Sequence, residues 1–483
     1  MLTSTAYEDS LLSFWPRVRD FAVPPTMIET ATARRRHGDW AGACAAAGVD
    51  IDFDLRSLAR THGSELASRI RRDLRHLAPD LLRWHMPRVA PDGLLRPGLT
   101  ITLARYDRAA RDGARDGAHP VRPVHLVVRT PPAWADGGQR ISLALWDGAP
   151  GGSRDRFSFD TGARRHPHPR PSRRYRLDLH RHLWDARRTD ELRVRSGADL
   201  PTEDARRGSA DPPGPVPGDL GCAVGRWADE AAILLRDEGR AAGTVTVWLG
   251  ARRRLLLDLA ADPARVGPPP LRITAVPADG GGVDLAVPAL PDAATWVLPD
   301  LALIRAGVVG PERLHPLVAS ALVPGHTPAG SRGNADPAGA RRLVECRGSR
   351  HRIGLVDGVL VPLDHDPAEI RREELLVALT GTPLPCLRVI DDTHRQPQDL
   401  SDVRERLRHG DTAGALTVVE GLLGPEAVLR GGALRDELRA AALRRLTYGL
   451  FRAGLTGPGP ERLVPGPARP RWHRSHPRET AGR

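Results

Sequence analysis

An α+β fold is predicted, with helical N- and C-terminal regions flanking mixed, mostly antiparallel β-containing lobes. Three observations predict it. Apolar residues recur at three- and four-residue spacing over 25–88 and again over 399–454. Between these stretches the apolar runs are short, β-branched or alternating, and are parted by Gly, Pro and Asp. Strands and helices do not alternate strictly, which argues against one large parallel sheet.

Residues 1–24 are expected to be poorly ordered, and 25–97 to be helical. In SELASRIRRDLRHLAPDLLRW, Leu66, Ile70, Leu74, Leu77 and Leu81 form one apolar stripe. Pro79 suits the first position of a new short helix. A β-rich domain follows over 98–195, with LTITLARY, VHLVVRT, ISLALW and RRYRLDLH (173–180) as its four strands and a basic loop at 148–174. The Pro- and Gly-rich stretch 196–221 reads as a flexible linker. Over 222–323 an α+β domain is expected. Its first helix places Val224, Trp227, Ala228, Ala231 and Leu235 on one face; TVTVWLG, RRLLLDLA and LRITAVP are strands, and PDLALIRAG and ERLHPLVASALV are helices. A second linker at 324–340 leads to a three-stranded meander plus helix over 341–398, with Asp357-Gly358 as a two-residue turn. A helical region over 399–455 and a basic, Pro-rich tail over 456–483 complete the chain.

All 71 basic residues are arginine and the net charge is +12. Lacking lysine, the chain cannot be a P-loop nucleotide hydrolase, a protein kinase or a Schiff-base enzyme. The charge is localised: 154–176 carries +6 and 461–483 carries +4, leaving +2 for everything else. Arg164, Arg165, Arg170, Arg173, Arg174 and Arg176, interleaved with Tyr175, are candidates for binding an acidic protein partner or a single-stranded nucleic acid. No run approaches the ~18 apolar residues of a membrane helix. The first twenty residues hold an acid pair where a secretory signal would be basic. A cytoplasmic location is therefore expected, with translation starting at Met1 or Met27.

Other chemistry is thin. His180 and His182 with Asp178 could hold a divalent metal if 177–183 were a strand, because all three would share one face. Half-exposed strand histidines are the simpler reading, and no metal or other cofactor is expected. The four cysteines (Cys44, Cys222, Cys346, Cys386) lie far apart, with no CxxC and no histidine at ligand spacing, and read as reduced, partly buried thiols. Cys346, beside Arg347 and near His351, is the one in a cationic setting. VDIDFDL would put Asp50, Asp52 and Asp54 on one strand face, a cation platform or simply a solvated edge. No G-x-S-x-G or G-x-G-x-x-G string is present.

One string occurs twice. RHGDWAGA at 36–43 and RHGDTAGA at 408–415 differ in one letter. Gly38 and Gly410 fit a helix C-terminus, Asp39 and Asp411 fit the N-cap of the next helix, and the small residues after them would let two helices cross closely. Residues 34–48 and 406–421 resemble the turn inside tetratricopeptide-type helical hairpins. Two copies without a ~34-residue period imply hairpins and not a repeat array. Over 25–100 and 399–455 the chain also resembles uncharacterised bacterial proteins from high-GC genomes, which implies no activity and no residue roles. The leading expectation is a non-catalytic interaction protein whose basic arms meet an acidic partner. The alternatives are nucleic-acid binding through 154–176 and a metal-dependent hydrolase.

Overall fold

The computed structural model describes residues 14–16, 18–89, 92–107, 123–147, 166, 168, 170–200, 216, 221–250, 253–260, 271–276, 287–326, 342–346, 348–356, 359–380, 384–395, 400–424, 429 and 431–455. Helices α1 (Pro25–Arg36), α2 (Trp40–Ala46), α3 (Leu55–His62), α4 (Ser64–His76) and α5 (Pro79–His85) follow the helical periodicity. Pro79 opens α5 at its first position, where the missing N–H costs nothing. The predicted stripe is the buried face: Leu66 is 6% exposed, and Ile70, Leu74, Leu77 and Leu81 are 2% or less. Residues 18–22 are helical too, with Val18, Ala22 and Val23 buried against Trp84, so this part of the expected disordered N-terminus is core.

The main sheet contains β1 (Val49–Ile51), β4 (Thr100–Tyr106), β5 (Val124–Arg129) and β6 (Ile141–Trp146) in the order β1-β6-β5-β4. β4 to β6 form an antiparallel meander, and β1 adds parallel to β6 with Val49 opposite Ile141. A two-residue hairpin, β2 (Arg88–Val89) with β3 (Leu94–Leu95), precedes it. The fourth strand is thus β1 and not 173–180. That segment touches the sheet only through an isolated bridge of Arg176 to Thr102. Its alternation serves another purpose: Tyr175 and Leu177 pack into the main core while Leu179 packs into the next one.

After the one-turn helix α6 (Leu192–Arg195) comes a second core, in which α7 (Trp227–Asp237) packs on the meander β7 (Gly243–Leu249), β8 (Arg253–Leu259) and β9 (Leu271–Val276). All five residues of the predicted α7 face are buried. The short helix α8 (Asp292–Thr295) closes this core, and the Trp227 indole N–H donates to the Thr295 carbonyl at 3.2 Å. Helices α9 (Pro299–Arg305) and α10 (Pro316–Leu322), placed by sequence in the 222–323 domain, instead bury Leu301, Leu303 and Val318 in the main core. The expected boundary does not divide the packing there.

The third meander forms as predicted from β10 (Arg342–Cys346), β11 (Ser349–Val356) and β12 (Val359–Pro362); its Asp357-Gly358 turn lies outside the described residues. Helix α11 (Pro367–Thr380) follows, then α12 (Pro385–Arg395), which the sequence reading missed. The C-terminal region contains α13 (Leu400–His409), α14 (Thr412–Leu423) and α15 (Ala433–Ala453), packed around Val403, Leu407, Ala415, Val419 and Leu434.

Candidate docking turn and candidate metal centre

Both RHGD strings form the expected turn. Gly38 and Gly410 have φ of +76° and +85°. Asp39 caps α2 by accepting the Gly42 N–H at 2.8 Å, and Asp411 caps α14 by accepting the Gly414 N–H at 2.9 Å. An arginine five residues before each cap joins it: Arg34 to Asp39 at 3.1 Å and Arg406 to Asp411 at 2.8 Å. The glycine inside Ala-Gly-Ala has a different purpose from the expected close helix crossing. A Cβ at Gly42 or Gly414 would lie 2.1 Å from the capping carboxylate of its own turn.

The two copies differ in surroundings. At the first, His37 and Gly38 are exposed, and nothing lies within 4 Å of a Cβ built on Gly38. The second is docked. His409 is 1% exposed, stacks on Phe21 with ring centroids 6.2 Å apart, and places Nε2 3.2 Å from the Asp92 carbonyl. Gly410 meets Gly138 so closely that a Cβ would stand 2.0 Å from the Gly138 carbonyl oxygen. Beneath this joint lies Arg83, 2% exposed, which donates to the carbonyls of Ala22 at 2.9 Å, Gln139, and His409 at 2.6 Å. Burial lowers the Arg83 pKa to about 10, and three carbonyl dipoles stand in place of a carboxylate.

The His-x-His candidate is not a strand site. Residues 181–183 form a turn of 3₁₀ helix. His180 places Nδ1 2.9 Å from the Arg176 carbonyl and Nε2 3.1 Å from Glu230, which also takes two hydrogen bonds from Arg195. Burial alone would raise the Glu230 pKa, but the His180 and Arg195 bonds hold it at about 2. Asp178 is bound in a fork by Arg176, and His182 is buried beside His180 with its pKa driven well below the usual imidazole range. Asp178 is committed to Arg176 and His180 to the Arg176 carbonyl and Glu230, and among the described residues the three do not converge as a metal set.

The Asp triplet separates likewise. Asp50 binds Arg140 at 2.6 Å and accepts the Tyr448 hydroxyl at 2.6 Å, Asp52 binds Arg452 at 2.7 Å, and Asp54 caps α3 through Ser57 N–H. Asp52, Tyr448 and Arg452 line a cleft of about 250 Å³ with Arg129, His166 and Phe451 between the main sheet and α15. Of the basic-arm candidates, Arg164 and Arg165 lie outside the described residues. Arg174 pairs with Asp292 at 2.5 Å, Arg176 pairs with Asp178 and Asp237, and Tyr175 is half-buried, so these three belong to the fold. Arg170 and Arg173 are exposed.

The cysteines give the largest departure from expectation. Cys346 at the end of β10, His351 in β11, His365 just after β12 and Cys386 in the first turn of α12 converge. One donor atom from each lies within 4.8 Å of all the others. Cys346 and Cys386 are 1% and 0% exposed and pack with Leu384, Val344 and Leu387. His351 Nδ1 is 2.6 Å from His365 Nε2, and His365 Nδ1 is 3.5 Å from Glu369. Desolvation and the neighbouring Cys346 raise the Cys386 pKa to about 12. The separations of 4, 13 and 20 intervening residues follow no local ligand spacing, so folding alone brings this set together. No protein-family model, curated protein or solved structure matches the chain. Among the described residues no helix is long and apolar enough to cross a membrane.

Proposed function

We propose that this is a non-catalytic, cytoplasmic interaction protein that presents a helical-hairpin turn and basic segments to an acidic protein partner. One observation carries the reading. The same capped turn occurs twice; the copy at 408–411 is a docking element within the chain, and the copy at 36–39 has the same caps but faces solvent. Arg34, Arg35 and Arg36 occupy the last turn of α1 beside that exposed copy, where acidic groups of a partner would be attracted. The commitment of His180, Asp178 and Glu230 to internal pairs supports a role without catalysis. Nucleic-acid binding through 154–176 loses Arg174, Tyr175 and Arg176 to the fold and rests on the remaining arginines.

The test is affinity capture from the native host, with and without nuclease, using wild-type protein and an Arg36→Glu, His37→Glu double variant. Partners that survive nuclease and are lost from the variant support docking at 36–39. Partners lost with nuclease favour the nucleic-acid alternative. Capture that ignores both nuclease and the double substitution removes the turn from the binding surface.

A further inference from the structure

We infer that Cys346, His351, His365 and Cys386 form a four-ligand zinc site that fastens the 342–362 meander to α12. The argument rests on the donor set and its surroundings, independently of any docking role. Two thiolates and two imidazoles are a borderline-soft S₂N₂ set, the combination that selects tetrahedral zinc. With Zn–S near ~2.3 Å and Zn–N near ~2.0 Å, ligand atoms of a tetrahedral site stand roughly 3.3–3.8 Å apart. Donors already within 4.8 Å of one another need only small rotamer changes to reach that spacing.

Charge and second-sphere contacts agree. Two thiolates neutralise Zn²⁺, so the buried complex carries no net charge and avoids the penalty on isolated buried ions. Binding releases the two thiol protons to solvent, and each imidazole ligates through a neutral nitrogen. His365 turns one ring nitrogen to the cluster and the other toward Glu369, the carboxylate–histidine arrangement that orients a ligating ring. Cys386 lies in the first turn of the eleven-residue α12, so a bond from its sulfur to the metal would tie that helix to the strand of Cys346.

The local fold also needs a fastening. Among the described residues the apolar cluster beneath these ligands is small, with Cys346, Leu384 and Cys386 buried and Val344 and Leu387 packed against them. So small a core rarely holds a hairpin and a helix together without a metal or a disulfide. A Cys346–Cys386 disulfide would leave the paired histidines unexplained, whereas zinc uses all four groups. With four protein ligands and no open position, the site is structural and not hydrolytic. Helix α12 also touches α14 and α15, so zinc here steadies the packing of the C-terminal helices on the meander.

The test uses full-length protein purified from zinc-replete medium without chelator. One zinc per chain is expected, together with two thiols that react only after chelation and a melting temperature that falls by several degrees on metal removal. Cobalt exchanged into the wild-type protein should show tetrahedral d–d bands and sulfur-to-cobalt charge transfer, a readout that needs no variant. Cys386→Ser and His365→Ala should lose the metal, and Cys44→Ser should keep it. Folded protein that retains no zinc, gives no cobalt spectrum, or contains a Cys346–Cys386 disulfide overturns the inference.

Discussion

At the scale of single residues, identical letters in the two turns carry different loads. Gly38 needs its positive φ and nothing else, so Gly38→Ala should destabilise by about 1 kcal/mol, the cost of a left-handed L-residue. Gly410 needs the same φ and also the space, because its Cβ would overlap the Gly138 carbonyl. Gly410→Ala should therefore cost roughly 3 kcal/mol or more, as overpacking against backbone does. The caps should follow the same order. Asp39→Ala removes an exposed cap worth about 1 kcal/mol. Asp411→Ala removes a cap whose side chain is 5% exposed and leaves Arg406 without that partner, so its loss should be larger. Urea unfolding of the four variants, read at constant m, checks both contrasts. Equal losses at 38 and 410 would show that the second turn is not docked.

At the scale of elements, Arg83 joins parts of the chain that sequence distance conceals. Its three acceptors lie 61, 56 and 326 residues away. Arg83→Met keeps volume but leaves buried carbonyls unpaired, and should cost about 3 kcal/mol. The loss should be local first: amide exchange in α13 and α14 should rise more than in α4 and α5, because the hairpin loses its anchor while the main core keeps its apolar packing. Uniform exchange across all four helices would contradict the anchoring role. The same distinction explains what was legible in the sequence. Leu66 to Leu81, the strands β4 to β9 and the caps of both turns were readable because each signal is local and periodic. For β1 only the alternation in VDIDFDL was readable; its place as the fourth strand was not, since its parallel partner β6 lies far along the chain. Residues 173–180 alternate because they bridge two cores, so the strand pattern was real and its cause was different. The metal-site donors were invisible because their spacing is set by the β10–β11 turn, the exit from β12 and the entry to α12 together. Only Cys346 with His351 gave a local hint, and the histidine after β12 and the cysteine of an unpredicted helix supply the rest.

At the scale of the whole molecule, buried histidines tie these parts to pH. Burial lowers the His85 pKa to about 4; burial and the charges of Arg88 and Arg83 lower that of His409 to about 3; and burial beside His180 drives that of His182 well below the usual range. His409 belongs to the docked turn, while His85 contacts the Leu183 carbonyl and His182 lies against His180, so one titration loads both places. In the unfolded chain each would titrate near ~6.5. Below that pH the unfolded state binds up to three protons that the native state refuses, so stability is fully present above pH ~6.5 and falls with acid. These three protons alone contribute a slope of about 4 kcal/mol per pH unit near pH 5, and His76, His125 and His166, whose pKa values burial also lowers, add to it. Glu230 adds to the loss from the opposite starting charge. Its pKa is about 2 in the fold against ~4.3 unfolded, so its contribution is present above pH ~4.3 and disappears as pH falls toward 2. Against a total stability of roughly 5–15 kcal/mol, the histidines alone should unfold the protein before Glu230 is reached. Urea midpoints should be nearly level from pH 8 to 7 and drop steeply between about pH 6 and 4.5. His85→Gln, whose amide can still donate to the Leu183 carbonyl, should reduce that slope by one proton's share, about 1.4 kcal/mol per pH unit. A midpoint that holds constant from pH 7 to 5, or a slope indifferent to His85→Gln, would mean that these histidines are not held neutral by the fold.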